Sequence, residues 1–261
     1  MLPGAAPVDG ATHLRDYKIK ETKKSCDGGA SYAPCAADSD CPGGTCAKTP
    51  KHEKQPLLAV QNALGITVVS TKKVVGLMAA TATSGAGPVD SPGVTNVDTY
   101  KCYGVKLVKK VCVRDPATAC KSTTDCGLGG IDGPCLTRFP KALAKLLDDV
   151  YTVGDKAFQL KAPKRLCLAT AIDGVAPQHP GAHFLCYGAK PLKKACDETT
   201  AIPGRKCRDE EDCAIYFNPA GECALQPKTV VAPGLYAANL LGRERVDPKR
   251  EKEVCFPSLL L

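Results

Sequence analysis

Sixteen cysteines give this 261-residue chain its greatest capacity for chemistry, and their spacing decides which chemistry it is. One class is a set of four that occurs three times: Cys26, Cys35, Cys41 and Cys46; Cys112, Cys120, Cys126 and Cys135; Cys196, Cys207, Cys213 and Cys223. In every set the second and third cysteines stand six positions apart, and an aspartate (Asp40, Asp125 or Asp212) precedes the third. The other class is two framing pairs, Cys102 with Cys167 and Cys186 with Cys255. Thiols hold zinc, attack substrates or oxidise to disulfides. Zinc sites of this kind need a close Cys-x-x-Cys pair or two nearby histidines, and covalent haem needs Cys-x-x-Cys-His; neither pattern is present. An even count at repeated spacings implies oxidised pairs and an export compartment, and it disfavours a free catalytic thiol.

The other reactive side chains point away from catalysis. Of four histidines, His13 and His183 occupy the same strand-entry position in two repeats, which reads as structural, and His52 and His179 have no evident partner motif. Gly-x-Ser-x-Gly, a phosphate-binding glycine loop and a metalloprotease histidine pair are all missing. Asp38 and Asp40, or Asp209, Glu210, Glu211 and Asp212, could face calcium, yet they lack the spaced ligands of a calcium loop. Turn formation and capping explain them better, and solvent exposure is expected to leave them with ordinary acidity. No catalytic residue, metal or cofactor is therefore expected.

The elements that position the cysteines repeat with them. Tyr17, Tyr103 and Tyr187 each stand nine positions before the first cysteine of a set, with a Lys-Lys pair between. The resulting period of about 85 residues divides the chain into units 1–92, 93–177 and 178–261. With no Trp, 5% aromatic residues and 21 prolines, such small units depend on crosslinks as well as buried area. Tyr17–Lys24 alternates as a half-exposed strand, and Leu57–Val60 with Ile66–Val69 reads as a hairpin that continues through Gly76. Phe158–Leu160 matches its second arm. Residues 141–149 have helical spacing and good helix formers, so a short helix is predicted there. Residues 84–93 and 173–181 are linkers by composition. The fold class is all-β: three homologous disulfide-framed antiparallel units with projecting cysteine-rich loops. The short linkers favour close packing, either around a pseudo-threefold axis or in series.

Unit one has Asp16 and Gly76 where the alignment places the framing cysteines of its siblings. Framing bonds within each unit would leave no orphan when both are lost. Bonds between neighbours, as Cys167 with Cys186, would leave Cys102 and Cys255 to meet across the molecule. Pairing within units is the simpler reading, and closing a loop of 65 residues contributes about 4 kcal/mol.

Two resemblances follow from these residues. Cys35-Ala-Ala-Asp-Ser-Asp40-Cys41-Pro-Gly-Gly-Thr-Cys46 resembles the Asp-x-x-Cys-Pro-Gly run of whey-acidic-protein-type disulfide domains, over about a dozen residues. That resemblance implies first-to-third and second-to-fourth pairing in each loop. Ala182-His183-Phe-Leu-Cys186-Tyr187, Tyr100-Lys-Cys102-Tyr103 and the closers Lys164-Arg-Leu166-Cys167 and Val254-Cys255-Phe256-Pro257 look like an uncharacterised tandem domain of secreted bacterial proteins. It implies a bacterial extracellular or cell-surface location and no activity, with the cysteine loops as insertions.

The formal charge is +8, carried largely by the repeated lysines, which suits a solvated strand face, or attraction to acidic envelope polysaccharide or to nucleic acid; no nucleic-acid partner is expected. No run of eighteen apolar residues is present, so no membrane span is expected, and Met1–Pro7 carries no apolar run of signal-peptide length. The expectation is a non-enzymatic extracellular scaffold that binds copies of itself or another extracellular protein. The alternative is a glycan-binding module of the cell envelope acting through basic strand faces and Tyr17, Tyr103 and Tyr187.

Overall fold

The computed structural model describes residues 12–27, 33–49, 51–84, 97–108, 110–112, 114–115, 118–127, 133–136, 144–147, 156–172, 175–197, 204–214, 222–227, 235–239, 241–246 and 252–261. Residues 1–92 supply β1 (Thr12–Lys18), β2 (Lys24–Asp27), β3 (Thr45–Lys48), β4 (Leu58–Asn62) and β5 (Gly65–Ser84). Residues 93–177 supply β6 (Tyr100–Leu107), β7 (Val111–Cys112), β8 (Cys135–Leu136), β9 (Ala144–Leu147) and β10 (Lys156–Ala169). Residues 178–261 supply β11 (His183–Pro191), β12 (Lys194–Cys196), β13 (Cys223–Leu225), β14 (Leu235–Asn239), β15 (Gly242–Val246) and β16 (Glu253–Leu260). The chain is all-β and antiparallel. Each unit has an opening strand, a two-stranded cysteine loop, a hairpin and a closing strand. In units one and two the second hairpin arm and the closer are one continuous strand; in unit three they are β15 and β16.

The units share one ten-stranded sheet instead of each keeping its own. Within it six strands pair in a ring: β4–β5, β5–β6, β6–β10, β10–β11, β11–β16 and β16 back to β4. The sheet therefore closes into a barrel, which removes the free edges these six strands would otherwise present. A barrel this narrow is filled by its own side chains. All six strands contribute to that interior: Val60, Val69, Val105, Phe158, Leu160, Leu166, Leu185 and Tyr187, joined by Val254 and Phe256.

The last seam, β16 to β4, pairs only Ser258–Leu260 with Val60–Asn62. Asn62 reinforces it from inside: its amide donates to the Tyr187 hydroxyl at 2.9 Å and to Ser258 Oγ at 3.4 Å, while its Oδ1 accepts the Leu64 N–H at 2.9 Å.

The opposite face of the sheet carries a second cluster. Met78, Tyr100, Cys102, Cys167, Phe184 and Cys186 pack there with Ala182 and Val97. The segments around Val97 and Ala182 are tied together by Asp98, whose carboxylate accepts the Gln178 and His179 N–H groups, both at 2.7 Å. Burial, with the Asp98 charge, pushes the Tyr100 hydroxyl up to about 12, so it stays neutral in this cluster.

The ring departs from a threefold arrangement in unit one. Units two and three place opener and closer in the ring, but unit one contributes its hairpin, β4 and β5, and lays β1 along the far half of β5.

Two local expectations are corrected by this packing. Ala144–Leu147, within the predicted helix, forms β9 and pairs with Lys156–Gln159 of β10; residues 141–143 and 148–149 lie outside the described residues. Helix preference amounts to at most about 0.7 kcal/mol per ordinary residue, and a partner strand with a ladder of backbone bonds overrides it. The predicted hairpin turns at Ala63–Leu64, with Gly65 at φ +102°, a conformation glycine adopts freely. The linker 85–93 lies outside the described residues.

The second correction concerns the frame of unit one. Tyr103 pairs with Leu166 and Cys102 with Cys167; Tyr187 pairs with Val254 and Cys186 with Cys255. In unit one Tyr17 pairs with Leu77 and Asp16 with Met78, while Gly76 faces Lys18. Met78, not Gly76, is thus the counterpart of the closing cysteine. A two-residue slip keeps every side chain on its face, so alternation alone does not reveal it.

Gly76 has another reason to be glycine. A Cβ there would lie 2.7 Å from Asp16 Oδ1, 3.1 Å from the Tyr17 carbonyl oxygen and 3.3 Å from Arg165 Nη1. Asp16 and Arg165 form an ion pair at 2.6 Å, and Arg165 also holds Glu253 at 2.6 Å, so this group links β1, β10 and β16. Gly76→Ala should therefore destabilise the protein by about 1–3 kcal/mol, the usual range for forcing a carbon into a packed site. Gly188→Ala is the control: its Cβ would meet chiefly the tip of Lys164, a half-exposed side chain that can swing into solvent. Urea denaturation midpoints of the two variants measure the difference.

Candidate functional site

Strands β2–β3, β7–β8 and β12–β13 form three small sheets separate from the barrel sheet. In them Cys26 bonds Cys41 and Cys35 bonds Cys46; Cys112 bonds Cys126 and Cys120 bonds Cys135; Cys196 bonds Cys213 and Cys207 bonds Cys223. The framing bonds are Cys102–Cys167 and Cys186–Cys255, and no cysteine is free. The cysteine triplets whose sulfurs cluster in each loop are thus committed to disulfides.

The repeated aspartate and lysine act together on the backbone of one residue in each loop. Asp40 Oδ2 accepts the Ala36 and Ala37 N–H groups at 2.8 and 3.1 Å, while Lys24 Nζ donates to the Ala36 carbonyl at 3.3 Å. Asp125 Oδ2 accepts from Lys121 and Ser122 at 2.7 and 3.0 Å, and Lys110 Nζ donates to the Lys121 carbonyl at 3.2 Å. Asp212 Oδ2 accepts from Arg208 at 2.7 Å, and Lys194 Nζ donates to the Arg208 carbonyl at 3.3 Å. The residue after the second cysteine is therefore clamped at both its N–H and its C=O.

The expectation of ordinary acidity is corrected here: the paired N–H donors hold the Asp40 and Asp125 carboxyls below the usual value of 3.8. A depressed carboxyl stabilises the fold fully above its unfolded value and loses that effect as pH falls through its folded value. Pepsin digestion over a descending pH series should thus find loops one and two protected at pH 3.8 and cleaved only in stronger acid. Asp125→Ala should expose loop two to cleavage at every pH.

Loops two and three are also anchored to the barrel by apolar contacts. Val111 is fully buried against Ala59 and Val68 of the β4–β5 hairpin. Ala195 is fully buried with Leu192 against Ala157 of β10. The equivalent residue of loop one is Ser25, whose hydroxyl shares a hydrogen bond with Thr49. Where the other loops pack down, loop one leaves a groove of about 830 Å³ between itself and β5.

Three segments line this groove: Lys18–Lys24 from the end of β1 to the start of β2, Lys48, Thr49 and Lys51 at and beyond the end of β3, and Lys73–Val75 on β5. Among the described residues it gathers seven lysines (Lys18, Lys20, Lys23, Lys24, Lys48, Lys51 and Lys73) and one acid, Glu21. Among the described residues, none of these lysines belongs to an ion pair with an acidic side chain.

Of the three tyrosines expected to meet sugars, Tyr187 is fully buried and serves the barrel core. Tyr17 donates to Glu244 at 2.8 Å, where Arg15 also pairs. Tyr103 borders the groove: it is cross-strand from Val74, its ring lies 4.5 Å from that of His52, and burial together with the Glu21 charge raises its hydroxyl. His52 is held in turn by Thr71 at 2.8 Å. His13 lies in β1 and His183 in β11; burial lowers the His183 imidazole, and His179 lies 3.4 Å from Asp98.

The groove could have been found in the sequence. Lys23-Lys24-Ser25-Cys26 differs from Lys109-Lys110-Val111-Cys112 and Lys193-Lys194-Ala195-Cys196 at the anchoring position alone. Comparison with known proteins finds no matching family model, no similar curated protein and no similar solved structure. Among the described residues no helix is long and apolar enough to cross a membrane.

Proposed function

We propose that the protein is a non-enzymatic extracellular interaction scaffold whose cysteine loops face copies of itself or another extracellular protein. One observation carries this reading: the three loops share their disulfides and peptide clamp, yet the turns they expose differ in charge. Those turns read Ala36-Ala-Asp-Ser-Asp40, Lys121-Ser-Thr-Thr-Asp125 and Arg208-Asp-Glu-Glu-Asp212, and every residue in them is exposed. A constant rigid backbone carrying variable exposed side chains suits recognition, since the turn loses little entropy on binding. Eight disulfides support an oxidising environment for that role.

Size-exclusion chromatography with light scattering, on the secreted protein in its own medium and after purification, tests the proposal. Assemblies heavier than the 27.3 kDa chain that persist in salt are expected. Grafting the second turn onto the third, as Asp209→Ser, Glu210→Thr and Glu211→Thr, should dissociate them while the disulfide map stays intact. A monomer in both preparations would overturn the reading.

A further inference from the structure

We infer that the groove beside the first cysteine loop binds an extended acidic polysaccharide of the polyuronate class, with Lys18, Lys20, Lys23, Lys48, Lys51 and Lys73 gripping its carboxylates. This site is separate from the exposed loop turns and does not depend on the scaffold reading.

Charge distribution is the first argument. Among the described residues seven lysines and one acidic residue line the groove, although the chain as a whole has 35 basic and 27 acidic residues. A local excess of positive charge is therefore gathered in one concavity, where low-dielectric walls focus its field. Lys24 is the exception among the seven, since its ammonium clamps the Ala36 carbonyl.

Shape is the second. The lysines come from three chain segments that surround one groove of about 830 Å³. A single small anion would satisfy two or three ammonium groups and leave the rest repelling one another. A linear polyanion with a charge on each unit satisfies them along its length.

The chemistry of the walls selects the polymer. Among the described residues no arginine lines the groove, although Arg15 and Arg165 form ion pairs elsewhere. Lysines on flexible stems act as point donors that can follow carboxylates spaced along a sugar chain, without the fixed bidentate geometry that a guanidinium imposes. Ile19, Val74 and Val75 provide apolar wall for the C–H faces of sugar rings, and Tyr103 stands at its border. The oxidised cysteines suit an oxidising compartment outside the cytosol.

Affinity electrophoresis of the oxidised full chain in gels containing polygalacturonate tests this, with neutral dextran and single-stranded DNA of similar charge density as comparisons. Retardation by polygalacturonate alone is expected, weakening steeply with salt. The triple variant Lys18→Glu, Lys20→Glu, Lys73→Glu should lose at least about tenfold in affinity, as expected when several ionic contacts are reversed. The matched triple Lys190→Glu, Lys193→Glu, Lys206→Glu on unit three should bind nearly as wild type. Equal loss in both variants, equal or tighter binding of DNA, or no retardation would each overturn the assignment. A measurement on the unaltered protein guards against misfolded variants: lysine acetylation with and without oligogalacturonate should protect the groove lysines selectively, and uniform labelling would count against it.

Discussion

Asp16→Cys combined with Met78→Cys is expected to oxidise spontaneously and to give unit one the framing disulfide its siblings have. The two residues are direct cross-strand partners in β1 and β5, in the same register relative to Tyr17 as Cys102–Cys167 is to Tyr103. Met78 already packs on the face that holds both natural framing bonds. Closing that loop should add about 4 kcal/mol in the chain-entropy model, less whatever is lost with the Asp16–Arg165 pair at 2.6 Å. The pair Asp16→Cys with Gly76→Cys, which aligning the three repeats favours, should oxidise less completely, because Gly76 is cross-strand from Lys18 and any side chain at it crowds residue 16, the Tyr17 carbonyl and Arg165. Thiol titration without denaturant distinguishes them. Free thiols in the Met78 variant would show that the register of β1 on β5 differs from the one described.

Removing Cys186–Cys255, as Cys186→Ala with Cys255→Ala, should be the most damaging single crosslink loss. It closes a 69-residue separation, so the constraint is worth about 4 kcal/mol, or roughly 10 °C in Tm for a chain of this size. Its position adds to the effect. β16 is joined to the barrel by β11 on one side and by three residue pairs with β4 on the other, so loosening it opens the ring at its shortest seam. The corresponding loss of Cys102–Cys167 leaves β10 held by β9 and by its long pairing with β11. Hydrogen exchange at Gln61, Leu259 and Leu261, whose N–H groups face the partner strand across that seam, should therefore accelerate in the first variant and stay close to wild type in the second.

What was legible in the chain follows from how far apart the interacting residues are. The loop architecture is written within stretches of roughly twenty residues: the cysteine spacing, the aspartate before the third cysteine and the preceding lysine all meet locally. The acidic shift of Asp40 and Asp125 escaped notice because it depends on where two backbone N–H groups point, and composition carries no such information. The lysine groove escaped because each lysine taken singly resembles an ordinary solvated residue. It lies beside the loop in which Ser25 stands in place of the apolar anchor that Val111 and Ala195 supply in the other loops.

The sequence by itself determined the all-β class, the threefold repetition of parts, the oxidised state of the cysteines and the helper role of the repeated aspartates, because periodicity and spacing encode short-range contacts directly. Only the tertiary structure decided that the three units close one barrel, that unit one enters it by its hairpin, that Ala144–Leu147 is a strand, and that Met78 opposes Asp16. The physical reason is common to all four: a period of two tells which residues share a face, while the neighbour across the ladder, and its register, are chosen by the total burial of the closed sheet.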